Sequence, residues 1–195
     1  MTLFAPTVIV LAGGSGTRFR ACGGASHKLD ALLAGKPVLQ HVLDTVTAAG
    51  LPCHLVRPPG GTAGMGDSIA LGVNATPNAQ GWLILPGDLP LVSSGTLRAV
   101  AQALQEAPIV VPYYADRRGH PVGFCRGYFA ALAALKGDSG AAALVQAARS
   151  QGRVRDLTLE DAGITCDVDT PADLRRAATL LKANRPSRPC QGHRG

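Results

Sequence analysis

Val8-Ile-Val-Leu-Ala-Gly-Gly-Ser-Gly-Thr-Arg18, followed ten residues later by Lys28, is the stretch that decides how this chain folds. A short apolar run enters a loop with three glycines in four positions, and two cations follow. The run reads as a buried strand. Without a Cβ, the glycines let backbone N–H groups turn inward and come close to phosphate oxygens. Arg18 and Lys28 add charge that the amides lack, so the order suits a chain that holds a triphosphate. Two familiar glycine loops are excluded. A P-loop needs a Gly-Lys pair at its sixth and seventh positions, and Arg18 stands sixth from Gly13. The dinucleotide fingerprint needs a third glycine where Phe19 stands. The following residues, 20–27, are too rich in glycine to start a helix. A long, flexible, cation-bearing loop is therefore expected.

Length and composition set the class. A chain of 195 residues fits one domain and buries roughly 70% of its unfolded surface. Aromatics are 4%, so Ala, Val and Leu must fill the core. The net charge of +6 is partly local: Lys182-Ala-Asn-Arg-Pro-Ser-Arg-Pro-Cys-Gln-Gly-His-Arg-Gly195 holds four cations and no acid. Its prolines and lack of periodicity read as a disordered basic tail over 184–195, after one domain over 1–183. No basic run with interleaved aromatics occurs, so nucleic acid is not an expected partner. Five widely spaced cysteines, with no C-x-x-C, fit free thiols in a reducing cytoplasm. No apolar run is long enough for a membrane span.

Strand-like and helix-like segments alternate. Strands are expected at 7–12, 53–56, 82–85, 109–112, 121–125, 153–157 and 165–168. Helices are expected from Pro37 to Gly50, at 67–73, at 93–106 with Ser93 or Ser94 as cap, at 128–135, at 140–148 and at 171–183. This βα order argues a three-layer α/β/α, Rossmann-like fold on an open, mostly parallel sheet. Ligands in such sheets bind beyond the carboxyl ends of strands.

The polar motifs fall at such ends. Leu83-Ile-Leu-Pro-Gly-Asp88 places a carboxylate just after a strand, and Cys166-Asp-Val-Asp169-Thr-Pro does the same near the end of the chain. Two carboxylates from separate strand ends can share one Mg²⁺, with nucleotide phosphates completing its shell. Each could instead form a turn or a cap, Asp169 before the final helix above all. Gly64-Met-Gly-Asp-Ser68 is a tight turn into a helix, whose amides, including that of Gly66, and Ser68 suit a base or ribose. Arg118-Gly-His-Pro-Val122 sets Gly119 and His120 before a strand. Gly137-Asp-Ser-Gly140 offers Asp138 at a helix start, as an anion site or as a cap.

Taken together and in this order, these motifs resemble the MobA-like nucleotidyltransferase family, nearest its molybdenum cofactor cytidylyltransferase branch. The resemblance implies Mg²⁺-dependent transfer of a nucleoside monophosphate from CTP or GTP to a phosphorylated acceptor, molybdopterin. It implies a nucleotide held by Leu11, Ala12, Gly13, Gly14, Ser15, Gly16, Thr17 and Arg18, with Lys28 on the phosphates and Gly66 and Ser68 near base and ribose. Asp88 and Asp169 would hold Mg²⁺; Arg18, Lys28 and Asp88 would act in catalysis; Gly119, His120 and Asp138 would face the acceptor. A molybdoenzyme or a chaperone is the implied protein partner. The Leu-Ala-Gly-Gly spelling is that of the guanylyl branch, so the base stays open. The stretch from Arg57 to Ala63 is shorter than in relatives, and Ala141-Ala142 stands where many have Ala-Arg. A sugar-phosphate or polyol-phosphate acceptor, and a regulatory module that binds nucleotide without turnover, are the alternatives.

Overall fold

The apolar stretch that opens the chain is the middle of the molecule. In the computed structural model, which describes residues 5–183, β1 (Thr7–Leu11) lies between β4 (Cys53–Val56) and β5 (Gly81–Pro86), parallel to both. Beyond β5 come β8 (Val122–Cys125), then β6 (Ile109–Tyr114), then β9 (Val154–Thr158). Only β8 and β7 (Arg117–Arg118), which pair with β6, run against the rest. The sheet is thus mostly parallel, as the alternating pattern implied.

Side-chain alternation divides the core in two. Val8 and Val10 of β1, with Leu83 and Leu85 of β5, face α2 (Val38–Ala49), α4 (Ser94–Ala103) and α7 (Pro171–Ala183). Ile9, Trp82 and Ile84 face α3 (Met65–Ala75), α5 (Phe129–Ala133) and α6 (Ala142–Ser150). Both faces are covered, which is why these strands read as unbroken apolar runs.

Local signals act as expected at several ends. Gly50 closes α2 at φ 71°, a left-handed cap that glycine adopts without strain. Ser93 caps α4, its Oγ accepting from the Thr96 N–H, as serine at such a position does. Two expectations need correction, and one element was not foreseen. Residues 165–168 form no strand: a 3₁₀ turn (Ala162–Thr165) leads into irregular backbone, so Asp169 does not stand at a strand end. The loop after Gly16 contains a short helix, α1 (Thr17–Ala21), held by the buried ring of Phe19. A two-stranded hairpin, β2 (Leu32–Leu33) with β3 (Lys36–Pro37), precedes α2. The expected basic tail lies outside the described residues. Among the described residues no helix is long and apolar enough to cross a membrane.

Candidate active site

The glycine loop leaves β1 at Ala12 and is tied down on both sides. Gly13 accepts from the Thr62 N–H, and a Cβ there would come within 2.8 Å of Thr62 Oγ1 and 3.0 Å of Ser68 Oγ. Gly16 adopts φ +61°, and a Cβ would meet the His27 ring at 2.9 Å. His27 is the second tie. Its Nδ1 accepts from the Leu29 N–H, which leaves Nε2 to donate to the Gly14 carbonyl at 2.8 Å. The bond made by one ring nitrogen fixes the role of the other. One imidazole therefore locks the loop against the residue next to Lys28.

Lys28 opens a turn in which the Asp30 and Ala31 N–H groups donate to the His27 carbonyl, and Leu29, Ala31 and Leu33 are buried in the core. Leu29 and Ala31 carbonyls accept from the first amides of α2, fixing this backbone. The Lys28 side chain points the other way and donates from Nζ to Asp88 Oδ2 and Asp169 Oδ1, both at 2.6 Å. Burial alone would lower its pKa; the Asp88 and Asp169 carboxylates outweigh burial and hold it above the ordinary lysine value, since opposite charges at contact favour the charged form.

Asp88 follows β5, at the carboxyl end where ligands collect in such sheets. Gly87 N–H donates to the Leu11 carbonyl, and Val168 N–H donates to the Asp88 carbonyl at 2.9 Å. Backbone bonds thus link the glycine loop, the Asp88 turn and the Asp169 segment. Asp169 is free of capping work. Thr170 caps α7, its Oγ1 accepting from the Asp173 N–H while Asp173 Oδ2 accepts from the N–H groups of Thr170 and Asp169. This is a capping box with Pro171 in the first turn. Arg18, largely exposed on α1, stands 3.5 Å from Asp169 Oδ2.

Three hollows converge here. The first, about 360 Å³, is bounded by the strand end and glycine loop from Leu11 to Ser15, by Thr62 to Met65, and by Lys28, Ser68, Asp88 and Asp138. The second, about 430 Å³, is lined by Arg117, Arg118, His120, Asp167 and Asp169, and shares Lys28 and Asp88 with the first. A smaller one, about 260 Å³, lies between Gly16, Thr17, Arg18 and Asp169. Lys28 reaches all three.

His120 owes its position to a bulge. Tyr113 and Tyr114 pair with Arg118 and Arg117, whereas Ile109 and Val110 pair with Phe124 and Gly123. The returning strand therefore carries two extra residues between them. Gly119 packs on the Ile164 side chain, and His120 is turned toward the second cleft. Its Nδ1 is buried without a partner. Desolvation, then the Arg118 charge, lowers the His120 pKa to about 4, against weaker opposing pulls from the Ile84 backbone and Asp167. Both main causes disfavour the charged imidazolium.

Most residues singled out in the sequence meet in this region, but three sit differently from what the resemblance implied. Gly66 packs against the Lys136 and Gly137 carbonyls, away from the first cleft's wall. Gly119 lies behind His120, against Ile164. Asp138 borders the first cleft, not the second. The Ser68 hydroxyl shares a 2.6 Å hydrogen bond with Thr62. Sequence reasoning missed His27, Thr62 and Arg117. Thr62 lies in the short stretch after β4, where the Pro-Gly-Gly spelling of residues 59–61 is the only signal of a built turn; both glycines adopt positive φ there. Nothing in the sequence around His27 distinguishes it from a loop residue.

Two carboxylates at contact distance from one ammonium, with no thiol or imidazole among them, suit a hard divalent cation. Among the described residues no group of three or more His, Cys, Asp or Glu side chains is placed to hold a metal. Phosphate and water oxygens would have to complete the shell, as Mg²⁺ prefers.

A mostly parallel sheet, a glycine loop at its carboxyl edge and paired carboxylates between two clefts define an α/β nucleotidyltransferase. The chain belongs to the MobA-like NTP transferase domain family, whose model matches residues 47–154, more than half its length. It is similar to Rv0371c from Mycobacterium tuberculosis H37Rv, with 30% identity, TM-score 0.73, and coverage of 92% of this chain and 100% of that one. Rv0371c has also been crystallised with manganese. A nucleotidyl transferase from Methanothermobacter thermautotroptrophicus (Mth528) shares the fold at TM-score 0.75 and 21% identity, over 92% of this chain and 99% of that one. The bifunctional protein GlmU of Halorhodospira halophila is 35% identical over 111 residues, 47% of this chain and 23% of its own length. The chain thus spans about a quarter of that curated relative.

Proposed function

We propose that the chain moves a nucleoside monophosphate from CTP or GTP to a phosphorylated acceptor, molybdopterin in the first reading, and releases pyrophosphate. The observation that carries this is the Asp88–Lys28–Asp169 cluster at the junction of two clefts. The first cleft takes the nucleotide, its phosphates against the glycine loop. The second takes the acceptor. It sets three cations (Lys28, Arg117, Arg118) against three carboxylates (Asp88, Asp167, Asp169), with His120 neutral.

Mg²⁺ or Mn²⁺ on Asp88 and Asp169 would neutralise charge on the triphosphate, and the manganese complex of Rv0371c supports such an ion. With that charge added, the second cleft favours an anion. An acceptor phosphate oxygen attacks the α-phosphorus, a new P–O–P link forms, and the bond to the β-phosphate oxygen breaks. The acceptor is already anionic, so no strong base is needed. Lys28 and Arg18 bind charge, and the work is positioning and electrostatic stabilisation.

The acceptor assay decides between readings. Pyrophosphate release from CTP and from GTP, with Mg²⁺ or Mn²⁺, is measured against molybdopterin and a panel of sugar and polyol phosphates. Turnover with molybdopterin alone supports the first reading. Thr165 and Asp167, hydroxyl-binding groups on the second cleft, favour a sugar phosphate as the second. Nucleotide binding without turnover on any acceptor overturns both and returns the chain to a binding module.

A further inference from the structure

Lys28 is placed where a cation bridging the two carboxylates would be. Its Nζ lies 2.6 Å from an oxygen of each, and the carboxylates are held near each other by the Val168-to-Asp88 backbone bond. An ammonium and a divalent ion cannot both sit between the same two oxygens: they repel at contact distance in a half-buried site. The backbone just after the lysine is pinned to α2 through the Leu29 and Ala31 carbonyls, but the lysine stem is long, and the same side chain borders the first cleft beside Gly13, Gly14 and Ser15. It therefore has a second place to go, among the phosphates of a nucleotide.

We propose that Lys28 is a displaceable internal counter-ion: it holds the cation position between Asp88 and Asp169 until nucleotide phosphates draw it into the first cleft, and only then does a divalent ion bind there tightly. This rests on the reading of the first cleft as a nucleotide site. Order of assembly follows from it, since free metal is excluded and the metal–nucleotide complex is admitted. Arg18, exposed and 3.5 Å from Asp169, does not substitute, because it touches one carboxylate only.

Mn²⁺ binding in the absence of nucleotide, read by electron paramagnetic resonance of the free ion, tests this without reference to activity. Lys28→Met removes the competing charge and leaves both carboxylates. The variant is expected to bind free Mn²⁺ at least tenfold more tightly than the wild type. CTP or GTP should tighten Mn²⁺ binding to the wild type and add much less in the variant. A Lys28→Gln variant, shorter and polar, must shift in the same direction, and serves if the methionine variant does not fold. Adding Asp88→Asn to either must abolish the gain. Free Mn²⁺ affinity that is unchanged or weaker without Lys28 overturns the inference. Failure of the reading beneath it is seen separately, as a wild type that binds neither CTP nor GTP with Mn²⁺ present.

Discussion

The two clefts meet at Lys28 and Asp88 yet are made of different material. The first is walled by backbone: glycines, a short turn from Gly60 to Gly64, and hydrogen bonds that link Gly13 to Thr62, Gly14 to His27 and Leu11 to Gly87. The second is walled by side chains. Arg117 and Arg118 stand on an edge hairpin, His120 leans out of a bulge, and Asp167 comes from irregular backbone. Neither arginine forms an ion pair among the described residues. A backbone wall binds what all substrates of a family share. A side-chain wall is free to change, so under the proposed function acceptor specificity is expected of the second cleft.

The junction should give the largest effect, because both clefts depend on it. Asp88→Asn keeps the shape and removes the charge, and nucleotidyl transfer is expected to fall by about 10²–10³, as for one preorganised electrostatic contact. Thermal unfolding should still be cooperative. An equal fall for every acceptor would mark the junction as common ground; a fall confined to one acceptor would break the division.

Next comes acid. His120 is buried and its pKa of about 4 lies below the ordinary value, so the unfolded chain binds its proton first. Its contribution is complete above the ordinary histidine pKa and is lost as pH falls through the window toward 4. From about pH 7 to about pH 5 this costs on the order of 2 kcal/mol. Denaturant unfolding at the two pH values checks it. His120→Asn, which does not titrate, should lose correspondingly less, and an equal loss would show that other groups dominate.

What could be seen in the sequence follows the same division. Backbone walls leave spelling behind. Only glycine fits at Gly13 against Thr62 and at Gly16 with its positive φ, so the loop reads as an anion cradle from its residues alone. Asp88 is legible too, because it follows the apolar run from Trp82 to Leu85, and Asp169 because it stands just before Thr-Pro at a helix start. Their meeting on Lys28 is not, since it needs contacts 60 and 141 residues apart. The alternative that Asp169 caps the last helix fails on a local competitor, as Thr170 and Asp173 form that cap between them. Residues 165–168 resemble a strand in composition, but no neighbouring strand pairs with them. Helix α1 escaped because glycines surround it; burial of Phe19 outweighs that poor propensity.

Among the loop glycines, position decides the size of effect. Gly16→Ala places a Cβ at φ +61° and against the His27 ring. A left-handed backbone at a residue with a Cβ costs about 1–2 kcal/mol. The variant should melt at a lower temperature and show a raised KM for nucleotide, because His27 can no longer hold the loop. Gly14 has nothing within 4 Å of a built Cβ and no positive φ. Gly14→Ala should therefore leave stability within about 0.5 kcal/mol of the wild type, as substitutions away from such constraints do. Equal melting temperatures for the two variants would show that the His27 tie carries no weight.

Arg118→Gln acts on one cleft alone and separates the two most sharply. Arg118 lines the second cleft beside His120 and is absent from the first. Its charge is the second cause of the low His120 pKa. Replacing it removes one cation from a cleft that balances three against three. The KM for the phosphorylated acceptor should rise about tenfold, equivalent to about 1.4 kcal/mol, while the KM for CTP or GTP stays unchanged. The His120 pKa should move up toward its ordinary value, which nitrogen or carbon-bound proton shifts of the imidazole report by NMR. An arginine that only supports the hairpin would alter both KM values through loosened packing and leave the histidine titration where it was. Movement of the acceptor KM and the histidine titration together, with the nucleotide KM fixed, ties Arg118 to the acceptor and to nothing on the other side of Lys28.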